Sequence, residues 1–196
     1  VKREVDWFDN PVETAGLYAG VIIASTGQEF LILTPEGAVE QADSIKVTFT
    51  DGSEADGTIK QKDTISGMAI VSVASDQLDE DTVMEITTLK LGNSYSMKQG
   101  DLVAALGAPA GVVHSSAYGT ISYVAKNVQV SDGATRLLYT DIKSNSKAGT
   151  FLINTGGEMI GWVTDVYDEE SASGLTIAMA ISDYKSILEK MSNGQP

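Results

Sequence analysis

Cysteine is absent from the chain and histidine occurs once, at His114. Disulfide frameworks, thiol nucleophiles and cysteine-based zinc sites are thereby excluded. Lack of cysteine suits an exported bacterial protein that avoids disulfides, although cytoplasmic proteins can lack it as well. Positive charge is also scarce: 13 Lys and Arg stand against 27 Asp and Glu, a formal net charge of −14 and a pI near 4.3. So acidic a surface repels phosphate backbones and anionic lipid heads, so neither nucleic acid nor a membrane surface is an expected partner. No apolar run approaches the roughly 18 to 20 residues that cross a bilayer as a helix. The opening "VKREVDW" has no initiator Met and no signal-peptide core, so the chain is expected to be an excised soluble piece of a longer polypeptide.

What is present points to β structure. Hydrophobic residues make up 42% of the 196 positions, enough for a real core, and 19 glycines lie scattered among many short turns. "GLYAGVIIA" (16–24) and "EFLILT" (29–34) flank a turn, and "SIKVTFT" (44–50) alternates Ile45, Val47 and Phe49 against Lys46, Thr48 and Thr50. "GMAIVSVA" (67–74) is a continuous β-rich run, expected to be buried on both faces. Residues 75–88, "SDQLDEDTVMEITT", are acidic and lack a period of two; they read either as a surface linker or as a short amphipathic helix. A second series of strands follows from "DLVAALG" (101–107) to "LTIAMAI" (175–181). In the closing "SDYKSILEKM", Ser182 is the expected N-cap, and Tyr184, Ile187, Leu188 and Met191 form one helical stripe.

Residues 91–111, "LGNSYSMKQGDLVAALGAPAG", resemble the entry to the second barrel in the HtrA (DegP-like) branch of the trypsin/chymotrypsin-fold serine proteases. Leu91, Gly92, Ser94, Gly100, Asp101, Val103, Ala105, Gly107, Pro109 and Gly111 carry that pattern. "GVIIASTGQEFLILT", "IKVTFTDGSEADGTIKQKD", "LINTGGEMIGW" and "AIS" (180–182) resemble further family segments in the same order, so the likeness runs from about residue 15 to 191. It implies an all-β fold of two six-stranded antiparallel β-barrels with a C-terminal α-helix. The expected division is an N-terminal extension (1–14), a first barrel (15–76), a linker (77–88), a second barrel (89–182) and a helix and tail (183–196). Chains of this family commonly continue into a PDZ domain and begin with a signal or anchor, which implies an extracytoplasmic bacterial location.

The same resemblance locates the family's catalytic triad. Its histidine motif falls on Thr34-Pro35-Glu36-Gly37-Ala38-Val39, its aspartate motif on Ser66-Gly67-Met68-Ala69-Ile70-Val71, and its serine on Ala148, or on Gly149 when counted from Thr140 and Asp141. Gly37, Gly67 and Ala148 offer no imidazole, carboxylate or hydroxyl. A serine nucleophile needs an adjacent base held by a third group. The expectation is therefore a non-catalytic, HtrA-like pseudoprotease, not an enzyme, that binds peptide or an unfolded or partner protein through a remnant groove. The groove is assigned to Thr164, Asp165 and Val166, where an added strand would need backbone hydrogen bonds and no triad.

Two rival readings remain. One is a serine endopeptidase of the HtrA type that retains activity through other residues, with Ser144, Ser146 and Lys147 as a rescue set. Adjacent residues on an extended segment point to opposite faces, which argues against direct Ser–Lys pairing. The other is a structural or oligomerisation module. His114 is expected to be an exposed, isolated histidine. Asp165, Asp168, Glu169 and Glu170 lack the ordered D-x-D-x-D-G spacing of a calcium loop, so neither a metal nor a cofactor is expected. Trp162 is expected in the core rather than in a specificity pocket.

Overall fold

The computed structural model describes residues 2–5, 11–14, 16–130, 133–144, 146–163 and 174–195. A hairpin of β1 (Lys2–Val5) and β2 (Pro11–Thr14) comes first. The first half then holds β3 (Val21–Ser25), β4 (Glu29–Pro35), β5 (Ile45–Thr48), β6 (Glu54–Asp63) and β7 (Met68–Ala74). These form an antiparallel sheet in the order β3-β4-β7-β6-β5. The second half holds β8 (Leu102–Gly107), β9 (Ser115–Val130), β10 (Gly133–Thr140), β11 (Thr150–Ile153), β12 (Met159–Val163) and β13 (Thr176–Ala180). They close into a six-stranded barrel in the order β10-β13-β12-β11-β8-β9.

The all-β architecture with a terminal helix is thus as the sequence led one to expect, with one difference. Among the described residues the first half is a five-stranded sheet rather than a closed six-stranded barrel. Between the halves, residues 75–88 hold a 3-10 turn over Ser75–Gln77 followed by the short helix α1 (Glu80–Glu85), which buries Thr82.

Strand periodicity sorts the side chains into three cores. On β10 to β13, one set of residues fills the second barrel: Leu138, Leu152, Ile160, Ala178 and Ala180, joined by Val103, Ala105 and Ile121. The alternate set, Leu137, Phe151, Trp162, Ile177 and Met179, faces outward from that barrel and packs with Leu31, Leu33, Met68 and Ile70 of the first sheet. The β-rich run of β7 is explained in the same way. Met68 and Ile70 face the shared core, while Ala69, Val71 and Val73 face the interior of the first half with Ile32, Phe49 and Ala55. Both faces of β7 are buried, and the halves share one hydrophobic cluster rather than touching at a polar seam.

The chain ends in α2 (Lys185–Ser192), whose Tyr184, Leu188 and Met191 edge joins that shared core with Ile187 beside it. Ser182 does not cap it. Residues Ile181–Asp183 form a 3-10 turn, α2 starts two residues later, and Ser182 is engaged elsewhere. Ser94 N–H donates to Ser182 Oγ at 2.8 Å and Ser182 N–H to Ser94 Oγ at 3.0 Å, a reciprocal pair spanning 88 residues. A serine hydroxyl satisfied by a distant backbone N–H is no longer available to the helix start. Nearby, Asp183 accepts hydrogen bonds from Tyr95 Oη (2.6 Å), Thr135 Oγ1 (3.1 Å) and Arg136 N–H (2.8 Å). The Arg136 guanidinium lies 4.6 Å from the centre of the Tyr95 ring.

Candidate functional site

Three turns meet where the halves join. The first follows β4 as a 3-10 turn over Glu36–Ala38 and carries Gly37. The second leads into β7 and carries Ser66 and Gly67. Glu36 N–H donates to the Gly67 carbonyl at 2.9 Å, which ties these two turns together. The third is the 3-10 turn Ser146–Ala148 ahead of β11. Its Ala148 carbonyl accepts from Ala19 N–H at 2.7 Å, and the Gly149 carbonyl accepts from Ala108 N–H at 2.7 Å. The Ala19 carbonyl in turn accepts from Thr34 Oγ1 at 3.1 Å, so the third turn is fastened to the end of β4 through the segment that leads into β3.

The backbone at these points differs in what it can carry. Gly149 has φ +93°, and a Cβ there would lie 2.5 Å from the Ala19 carbonyl oxygen and 3.2 Å from Pro35 Cδ. Only glycine allows the turn to sit this close to the first half. Gly67 is also left-handed, with φ 68°. Gly37 is exposed, and a Cβ on it would meet nothing within 4 Å.

Trp162 underlies the site. It is fully buried, donates from Nε1–H to the Ser66 carbonyl at 3.1 Å, and meets the Tyr184 ring edge-on with centroids 5.4 Å apart. An indole on β12 therefore holds the turn that carries Gly67, and the expected core placement of Trp162 is what the structure has. Phe151 is likewise fully buried in the shared core.

The remaining sequence-derived residues separate into several places. Ser144 is half-buried and donates from Oγ to Thr150 Oγ1 at 2.7 Å, where Thr150 is 1% exposed. Lys147 is exposed on the third turn, and Ser146 opens that turn. His114 is exposed in the β8–β9 connection with φ 60°, far along the chain from the three turns. Thr164, Asp165 and Val166 lie outside the described residues, as do Asp168, Glu169 and Glu170. Among the described residues no cluster of His, Cys, Asp and Glu is grouped to hold a metal ion. A separate surface depression of about 620 Å³ lies over β8, β9 and the β11–β12 turn, lined by Leu102, Ala104, Tyr118, Thr120, Asn154 and Thr155.

With this geometry in place, comparison with known proteins assigns the family. The description "Trypsin-like peptidase domain" matches residues 19–161. The chain belongs to the trypsin-like peptidase domain family. Its relatives place it on the HtrA/DegP-like branch. It is 31% identical over 183 residues to the "Probable periplasmic serine endoprotease DegP-like" of Halomonas elongata, covering 92% of this chain and 36% of that protein. It is 27% identical over 189 residues to the serine protease Do-like HtrA of Bacillus subtilis, covering 92% of this chain and 40% of the relative. Among solved structures, the HtrA-type protease AlgW with decapeptide superposes at TM-score 0.66 with 23% identity, over 91% of this chain and 53% of that one. The chain thus spans 36 to 40% of the length of the two curated relatives named here.

One expectation is corrected by this comparison. Glycine and alanine at 37, 67 and 148 led to the expectation of a protein that is not an enzyme. The relatives that match nearly the whole chain are named serine proteases and endoproteases, which points to a protease. Gly37, Gly67 and Ala148 are three side chains only, whereas the likeness to these relatives extends over 92% of the chain. No helix among the described residues is long and apolar enough to cross a membrane.

Proposed function

We propose that the chain is the peptidase-fold domain of an HtrA-type serine endopeptidase that acts on extended polypeptide outside the cytoplasm. The observation that supports this most directly is the match of the trypsin-like peptidase description across residues 19–161, on relatives named as serine endoproteases. The relative from Halomonas elongata is named periplasmic, which supports the location. The AlgW structure holds a decapeptide, which supports an extended peptide as the class of ligand. In this fold such a ligand adds as a strand, recognised by backbone hydrogen bonds and by pockets for alternate side chains. Thr164, Asp165 and Val166 are the segment to which we assign that contact.

The chemistry sets one condition. We assign the triad-equivalent positions to Gly37, Gly67 and Ala148, so the attacking hydroxyl must come from elsewhere. Ser144 is the candidate: it is half-buried and already hydrogen-bonded to Thr150 Oγ1 at 2.7 Å. Lys147 is the candidate base on the adjoining turn. Its side chain is exposed on that turn.

The test is a fluorophosphonate probe, together with cleavage of unfolded casein, on the chain and on its Ser144→Ala variant. Covalent labelling and cleavage that both disappear in S144A support the reading. Saturable peptide binding with neither labelling nor cleavage over several days overturns it.

A further inference from the structure

The third turn is held from two sides, and both holding segments are apolar. Ala19 N–H donates to the Ala148 carbonyl and Ala108 N–H to the Gly149 carbonyl, each at 2.7 Å. Gly107, at the end of β8, stands against both partners. A Cβ on it would lie 2.7 Å from the Gly149 carbonyl oxygen and 3.3 Å from Ala19 Cβ. Residues 16–20 and 107–113 therefore converge on one point beside the turn.

Both segments turn apolar side chains to solvent. Leu17 is 75% exposed and Tyr18 39%, with the Tyr18 ring folded back over Gly16, where a Cβ would lie 2.8 Å from Tyr18 Cε2. Val112, in the β8–β9 connection, is 64% exposed. Single exposed apolar side chains are ordinary. Three of them on two segments fastened to one turn form an apolar rim around it. Charge is missing from the same stretches: no Asp, Glu, Lys or Arg occurs from residue 15 to 28 or from 102 to 125, although charged residues make up 20% of the chain. A face kept free of charge on a molecule of net charge −14 suits an apolar ligand group rather than a cationic one.

We propose that Leu17, Tyr18 and Val112 are specificity-determining contacts, a rim that selects large apolar side chains on an extended polypeptide crossing the third turn. This rests on the reading of the domain as one that holds extended polypeptide, and it adds which side chains the domain prefers. Backbone hydrogen bonds of an added strand are indifferent to sequence, so selection has to come from surfaces that meet the ligand's side chains. The rim is such a surface, and its two parts are tied by hydrogen bonds to the turn that the ligand crosses. A second copy of the chain is a poor occupant, because two molecules of net charge −14 repel.

The test follows the fluorescence anisotropy of two fluorescein-labelled decapeptides, one with Leu or Phe at alternate positions and one with Ser there. Each is titrated with the chain and with its Leu17→Ser, Val112→Ser and Met84→Ser variants. Met84 is exposed on α1, which is tied to the β5–β6 hairpin through Thr82 and Asp51, and it controls for apolar surface as such. All three replaced side chains are exposed, so the variants keep the thermal transition of the parent chain. The expected preference for the apolar decapeptide is about tenfold, falling by about threefold or more in Leu17→Ser and in Val112→Ser and unchanged in Met84→Ser. Equal affinity for the two decapeptides, binding of neither, or an equal loss in Met84→Ser overturns the proposal. So does sedimentation that shows a dimer dissociated by Leu17→Ser, which would assign the rim to a second copy. Fluorophosphonate labelling is read on the same samples: its absence with the preference intact would remove the endopeptidase and leave the rim standing.

Discussion

Replacing Trp162 by Phe tests how the two halves are joined. The indole is fully buried, and its Nε1–H is the partner of the Ser66 carbonyl, on a residue that is itself 0% exposed. Phenylalanine retains most of the apolar burial in the shared core and a ring beside Tyr184 but removes the donor. A buried acceptor left without a partner costs about 1 to 3 kcal/mol, and the space vacated by the smaller ring adds roughly 1 kcal/mol. The expected loss is about 2 to 4 kcal/mol, which for a domain of this size lowers Tm by roughly 4 to 16 °C at 2 to 4 °C per kcal/mol. Trp162→Ala removes the ring contacts as well and is expected to cost about 3 to 5 kcal/mol. Urea and thermal unfolding, followed by circular dichroism, measure both. The unsubstituted chain should unfold in one transition, because Leu31, Leu33, Met68 and Ile70 belong to the same cluster as Phe151, Trp162 and Met179. A Trp162→Phe variant within 0.5 kcal/mol of the starting protein, or two separate transitions in that protein, would refute the reasoning.

Two further outcomes follow from the geometry. Gly149→Ala places a Cβ 2.5 Å from the Ala19 carbonyl at φ +93° and should cost about 2 kcal/mol or more, whereas Gly37→Ala meets open space and should stay within about 0.5 kcal/mol; equal losses by chemical denaturation would contradict the packing of the third turn on the first half. The hydrogen bond that Tyr95 donates to Asp183 holds the phenol's pKa above its usual 10.0, so the neutral form is favoured in the folded state. Its contribution is fully present below pH 10 and is lost as pH rises through the folded pKa, a dependence that Tyr95→Phe should remove from stability measured between pH 9 and 11.

Much of the fold could be read from local pattern because local pattern is what determines it. Alternation in Ile45 to Thr48 produces a strand with one inward face, a β-rich run at Met68 to Val73 interrupted only by Ser72 produces a strand buried on both, and the Tyr184, Ile187, Leu188, Met191 stripe produces a helix seated on the core. What escaped was decided at a distance. Ser182 has the residue type and position of a helix cap, yet its hydroxyl is claimed by Ser94, and nothing near residue 182 signals this. Likewise, no feature around Trp162 names Ser66 as its acceptor, since the two are 96 residues apart and meet only because β12 packs on the first sheet. Among the described residues the first half has five strands where the resemblance implies six, and local pattern does not decide this, since β5 and β3 have strand-forming sequences whether or not a neighbour lies beyond them.

The site shows the same division between local and distant information. The resemblance singles out Gly37, Gly67 and Ala148, and the hydrogen bonds of Glu36 to Gly67 and of Ala19 to Ala148 bring the turns that carry them to the junction. Whether a hydroxyl there can attack a carbonyl depends instead on the pairing of side chains across that junction. The contact between Ser144 and Thr150 is instead local to the second half, made by residues six apart on either side of the third turn. Its Oγ donates to Thr150 in the structure, so a base acting on Ser144 must first displace that bond. Substituting Thr150 by Val leaves the volume nearly unchanged and releases the serine hydroxyl. If Ser144 is the nucleophile, that variant should alter the rate of fluorophosphonate labelling, and if it is only a structural hydroxyl, labelling elsewhere should be indifferent to the change.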